Sequence, residues 1–176
     1  MHMTSIFYNV LFLCTTNSAR SILAESILLK EGSGLFKPYS AGSKPKGELN
    51  QFSLDILRKF DFNADGYVSK NWDIFDKPDA PKMDFIITVC DDAAKEICPV
   101  WPGHPVSAHW NIKDPTLIMG SDKKINSAFI KSFHEIRGKI LQFVNMPIKT
   151  IDKLSMHHKL TQIGETDHSN ESKESI

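Results

Sequence analysis

The twelve residues Val10-Leu11-Phe12-Leu13-Cys14-Thr15-Thr16-Asn17-Ser18-Ala19-Arg20-Ser21 constrain this chain more than any other stretch. The apolar run at their start has no alternation, which suits a strand covered on both faces. It ends in a cysteine. Five small or polar residues follow, and a helical spacing then places Ala19, Ile22, Leu23, Ser26 and Ile27 on one face until Gly32 and Gly34 stop it. Strand, tight loop and helix in that order begin a crossover unit, and such units build parallel sheets. Amide groups at a helix N-terminus lack intrahelical partners, so the loop reads as an anion site.

The rest of the chain repeats the alternation. Residues 37–41 read as a strand closing at Ser40-Ala41-Gly42, and Asn50 caps a helix running to about Phe60. Trp72 and Phe75 anchor a short helical segment over 69–76. Asp84 to Val89 is a second continuous apolar strand, which delivers Cys90 at its end, and 91–97 reads as a short helix or loop. Ser107 to Trp110 suits a further strand. Ile125, Phe129, Phe133, Ile136, Ile140 and Phe143 mark a helix over 123–145, ended by Pro147. The expected fold class is α/β, a parallel sheet with helices on both faces, in one domain over residues 1–147. Residues 148–176 turn polar and are expected to form a largely disordered tail, whose His157, His158 and His168 read as solvated rather than as metal ligands.

Composition excludes several classes. The 176 residues carry 21 basic and 21 acidic side chains, so no global field favours nucleic acid or a membrane surface. No apolar run has the length of a membrane span. The N-terminus lacks the pattern of an export signal. Three cysteines, an odd number, argue against a disulfide framework and make reactive thiols in a reducing cytoplasm the expectation.

In parallel sheets, ligands bind beyond the carboxyl ends of the strands. Cys14, Cys90 and Asp114 each follow a strand, so all three are expected at one crevice. A thiol held at a helix N-terminus beside Arg20 is expected to ionise readily. The guanidinium matches two oxygens of a tetrahedral oxyanion. Ser21 either donates to the sulfur or holds the loop in shape. Asp114, stiffened by Pro115, is the candidate acid for a departing oxygen. Seven residues separate Cys90 from Cys98, a spacing unlike the short pairs of structural zinc sites. Two further thiols suit disulfide exchange with the first, and from spacing alone they equally suit plain packing.

The loop Cys14 to Ser21 with Ala24-Glu25 resembles the anion loop of the low-molecular-weight tyrosine phosphatase superfamily, and more closely that of the arsenate reductases built on that fold. Ser40-Ala41-Gly42, Thr88-Val89-Cys90-Asp91, Cys98-Pro99, His109-Trp110 and Asp114-Pro115 extend the resemblance from about residue 8 to 145. It implies a four-stranded parallel sheet with flanking helices, and an oxyanion cradle of Thr15, Thr16, Asn17, Ser18, Ala19, Arg20 and Ser21. It implies further that Cys14 attacks arsenate while Asp114 protonates the leaving oxygen. Cys90 then attacks Cys14, and Cys98 takes over the disulfide. No bound cofactor or metal is implied. It implies that electrons come from an external dithiol, thioredoxin or a glutathione/glutaredoxin-type system, and a monomer is expected. Some relatives bind potassium near the loop, and Lys70 falls where their acidic ligand stands, so its amine is expected to replace the ion. The alternative is a phosphatase acting on phosphotyrosine or small phosphate esters, which needs only Cys14, Arg20 and Asp114. Thr116 stands where phosphatases usually carry an aromatic residue. A third reading is an oxyanion sensor without turnover.

Overall fold

A computed structural model describes residues 7–90 and 101–167. Four strands, β1 (Tyr8–Cys14), β2 (Phe36–Gly42), β3 (Phe85–Thr88) and β4 (Val106–His109), form one sheet in the order β2-β1-β3-β4, every pair parallel. Among the described residues the α-helices are α1 (Arg20–Glu31), α2 (Gln51–Lys59), α3 (Asp122–Val144) and α4 (Lys153–Glu165), with 3-10 helices at Trp72–Phe75 and Pro115–Leu117.

The continuous apolar strands are explained by their position. Val10, Leu11, Phe12 and Leu13 are all fully buried, because β1 lies inside the sheet with both faces covered. Val10 and Phe12 join Phe85, Ile87 and Ala108 against the apolar faces of α1, α2, α3 and α4. Leu11, Leu13 and Ile86 face the other way and pack on Trp72, Phe75, Met83 and Trp101. The helices therefore cover the two faces unequally. Asn50 caps α2 by accepting from the Phe52 amide at 3.0 Å, and Gly32 follows the last turn of α1.

The order places a topological switch between β1 and β3. Their register pairs Leu13 with Thr88, so Cys14 and Cys90 leave neighbouring strand ends at nearly the same level. Cys98 and the expected short element over 91–97 lie outside the described residues. Among the described residues, no helix is long and apolar enough to cross a membrane.

The expectation of a disordered tail from residue 148 fails for residues 153–165. This segment is α4, capped by Asp152, and it buries Met156, Leu160 and Ile163 in the main core. Its apolar residues are few, so the segment reads as polar; Leu154 points to solvent, and Met156, Leu160 and Ile163 make the docked side. The end of α4 is held by a group no local pattern reveals. Lys139 of α3 is fully buried, and its ammonium donates to the carbonyls of Ile163 (3.2 Å), Gly164 (3.1 Å) and Thr166. It pairs with Glu135 at 3.1 Å. A cation on the last carbonyls satisfies groups that would otherwise be buried without partners.

Replacing Lys139 by alanine strands those carbonyls and the Glu135 carboxylate. A loss of about 3 kcal/mol is expected, read as a lower urea midpoint at unchanged slope. A loss below about 0.5 kcal/mol would be that of an ordinary surface position and would contradict the clamp.

Candidate active site

The loop after β1 is turned so that its carbonyls face outward. Thr15 O accepts from the Lys44 amide (2.9 Å), Thr16 O from Lys46 (3.0 Å) and Ser18 O from Asn50 (2.8 Å). Carbonyls held from outside leave the amides of the same peptide planes on the side of the hollow, and the Thr15 amide favours the Cys14 thiolate. Asn17 makes this path possible by taking a left-handed φ of 46°, which asparagine tolerates better than most residues. Its buried side chain then ties the loop down. Nδ2 donates to Ser21 Oγ (2.9 Å) and Ser40 Oγ (3.0 Å), and Oδ1 accepts from the Lys70 amide (2.9 Å). Ser21 thus takes the second of its two expected roles, that of holding the loop. Thr16 and Ser18 share a hydroxyl contact at 3.0 Å.

At the N-cap of α1 stands Ala19, with no side-chain cap. Alanine is a poor N-cap, so the first-turn amides are left for an incoming anion. Arg20 begins the helix and crosses to the loop after β4, donating to Ile112 O (2.9 Å) and pairing with Asp114 (3.1 Å). Its Nε is buried with no partner among the described residues. Asp114 uses its other oxygen to accept from the amide (2.9 Å) and hydroxyl (2.6 Å) of Thr116, which fixes the carboxylate at the start of its 3-10 turn. Thr116 therefore orders the loop that carries Asp114.

Cys14 and Cys90 are both buried, and they leave neighbouring strand ends close enough for each to act on the other's ionisation. Thr15 Oγ1 lies 3.6 Å from the Cys90 sulfur. The neighbouring Cys90 side chain and burial push the Cys14 thiol well above its ordinary range, against the pull of Arg20 and the Thr15 amide. This corrects the expectation of a readily ionised Cys14 taken alone. Two neighbouring sulfurs do not both become anions, and the proton that remains belongs to the pair.

Beneath the loop, Glu25 accepts a hydrogen bond from the Ser40 hydroxyl. Burial raises its carboxyl above 4.5, opposed by Ser40 and by the Lys70 charge. Lys70 is itself lowered by burial, with Glu25 acting the other way, and its amine donates to Val68 O at 2.9 Å. No group of three His, Cys, Asp or Glu able to hold a metal occurs among the described residues.

Cys14, Arg20, Asp114, Cys90 and the whole 15–21 loop thus form one constellation, and Cys98 lies outside the described residues. Two contributors carry no chemical signature in the sequence. Ile112 acts through its carbonyl. Gly42 acts through the absence of a side chain, since a Cβ there would lie 2.4 Å from Thr15 O and 2.8 Å from Cys14 O.

A parallel α/β sheet with a thiol, an arginine and an amide nest at its switch point defines a class of enzymes that attack tetrahedral oxyanions through sulfur. Residues 9–156 match the model of the low molecular weight phosphotyrosine protein phosphatase family, and the chain belongs to that family. An arsenate reductase of Oceanobacillus iheyensis is 33% identical over 141 residues, 80% of this chain and 95% of the relative. The crystal structure of an arsenate reductase from Archaeoglobus fulgidus superposes with a TM-score of 0.61 at 25% identity, covering 78% of this chain and 99% of the other. A thioredoxin-dependent arsenate reductase of Corynebacterium glutamicum gives 0.54 at 25% identity, over 77% of this chain and 61% of that one.

Gly42→Ala is expected to push the loop carbonyls out of place and weaken inorganic phosphate binding by about tenfold or more, the scale of a small misplacement, with helix content retained. Unchanged affinity by calorimetry would contradict the close approach. A second expectation concerns pH. Above 4.5 the folded state keeps a proton on Glu25 that the unfolded chain releases, so this group's contribution to stability falls as pH rises from 4.5 through its folded value. Glu25→Gln should flatten that limb in urea titrations, and an unchanged limb would contradict it.

Proposed function

We propose that this chain reduces arsenate to arsenite through a relay of cysteine sulfurs. The observation that carries the reading is that β1 and β3, neighbours in register, deliver Cys14 and Cys90 to the same end of the sheet, with the Thr15 hydroxyl of the loop 3.6 Å from the Cys90 sulfur. A phosphatase needs one sulfur there, and water completes its reaction. A two-electron reduction needs a second thiol within reach of the first.

Arsenate takes the loop amides and the Arg20 guanidinium, whose unpartnered Nε meets the incoming oxygen. The Cys14 thiolate attacks arsenic, and Asp114 passes a proton to the departing oxygen, which leaves as water. Cys90 then attacks the Cys14 sulfur. A sulfur–sulfur bond forms, the sulfur–arsenic pair of electrons stays on arsenic, and arsenite leaves as arsenic(III). Cys98 attacks Cys90 in turn, freeing Cys14, and a thioredoxin-like dithiol reduces the Cys90–Cys98 disulfide. The thioredoxin dependence of the Corynebacterium relative supports that class of donor.

Arsenate-dependent oxidation of a thioredoxin system is expected from the parent chain. Cys14→Ser should lose it, and Cys90→Ser should lose it while keeping phosphate affinity. In Cys98→Ser, one equivalent of arsenate should leave a Cys14–Cys90 disulfide, visible by mass spectrometry. Full turnover in Cys90→Ser would overturn the relay. Hydrolysis of an aryl phosphate with higher catalytic efficiency than arsenate reduction, unchanged in both the Cys90 and Cys98 variants, would establish the phosphatase reading instead.

A further inference from the structure

Helix α4 is docked on the strand that carries the acid loop. The amides of Val106 and Trp110 donate inward to Asp84 O (3.0 Å) and Thr88 O (2.8 Å) of the β3 segment. Backbone groups alternate along a strand, so Ser107 and His109 turn their carbonyls to the free edge of the sheet. Helix α4 meets both. The His157 Nδ1 donates to Ser107 O at 2.7 Å. Gly164 approaches His109 O so closely that a Cβ would lie 2.4 Å away. Between them Leu160 O accepts from Trp110 Nε1 at 3.1 Å, and the Trp110 ring is fully buried against Phe12 and Phe143.

These contacts end four residues before Asp114. Ile112, between them, is buried, and its carbonyl holds Arg20. Lys113 O accepts from Ser132 of α3 at 3.4 Å, so α3 and α4 together brace the segment. The residues of α4 that make the contacts, His157, Leu160 and Gly164, all lie beyond residue 156, where the family match stops. An edge strand with no such cover would be free to fray.

We infer that helix α4 is a positioning element of the active site: through Trp110 and the backbone of His109 it sets the Asp114 carboxylate and the Ile112 carbonyl against Arg20. This rests on the reading that Asp114 is the proton donor. It adds that Trp110 and Gly164 are positioning residues, acting through Asp114 and touching no substrate. A helix that only stabilised the fold would lower the melting temperature and leave turnover per folded molecule as it was. A helix that positions the acid does more. Its loss slows the step that uses the acid, and does nothing further once the acid is gone.

The experiment is a double-mutant cycle on the full chain. Gly164→Val displaces the end of α4, and Trp110→Phe removes one hydrogen bond while keeping an aromatic ring. Each is measured alone and with Asp114→Asn, below its melting point, in arsenate reduction and in aryl phosphate hydrolysis. Gly164→Val should lower kcat about tenfold or more, with KM and the alkylation rate of Cys14 within about twofold, while Trp110→Phe loses less. In the Asp114→Asn background neither variant should cost a further twofold, and the limb of the kcat–pH profile that Asp114→Asn removes should shift in Gly164→Val. Losses of equal size in both backgrounds, or a drop in stability with kcat unchanged, would overturn the inference. If Gly164→Val fails to fold, Trp110→Phe decides by the same cycle. Asp114→Asn as fast as the parent would instead overturn the acid assignment, and the inference with it, a result distinct from failure of the cycle.

Discussion

A loop that closes around an anion must point its amides one way and its carbonyls the other, and most of this structure serves that requirement. The carbonyls of Thr15, Thr16 and Ser18 are each engaged from outside by an amide of the 44–50 segment. Asn17 accepts the left-handed backbone and is tied by three hydrogen bonds from within. Gly42 lets the end of β2 pass under the loop where any side chain would collide. The helix that follows has an alanine at its cap, so its first amides stay open. The sheet order then brings a second sulfur to the same place, because β1 and β3 are neighbours in register.

The electrostatics of the pocket follow from crowding. Two neighbouring thiols, out of water, resist double ionisation, and Arg20 with the Thr15 amide favours a single negative charge. Arg20 is meanwhile held by Asp114 and Ile112 O, with its buried Nε unpartnered among the described residues. Cys14, Arg20 and Asp114 are therefore coupled through one guanidinium, and a displacement of the loop after β4 is felt at Cys14. Binding an oxyanion redistributes these pairings rather than creating a charged site from nothing.

Much of this was legible in the residues. The apolar runs of β1 and β3, the asparagine cap of α2, the Trp72 and Phe75 anchors and the long period of α3 each carry a local signal, and each formed as its pattern implies. The loop from Cys14 to Ser21 was legible for the same reason, since its chemistry lies within consecutive residues. What escaped is what depends on long-range contact. The segment 153–165 has too few apolar residues to announce a docked helix, and its end is satisfied by Lys139 from another element. Gly42 and Ile112 contribute a missing side chain and a carbonyl. The raised Cys14 thiol comes from a neighbour 76 positions away, whereas the nearby sequence points to a lowered one.

The adjacency of the two sulfurs is most directly tested by following thiolate absorbance against pH in Cys98→Ala, where only Cys14 and Cys90 titrate as thiols. Two well-separated steps are expected, the second displaced far above an ordinary thiol, and the separation should vanish when Cys90 is also replaced. Two thiols ionising together at ordinary values would mean that the sulfurs do not share a proton, and the relay would lose its physical basis.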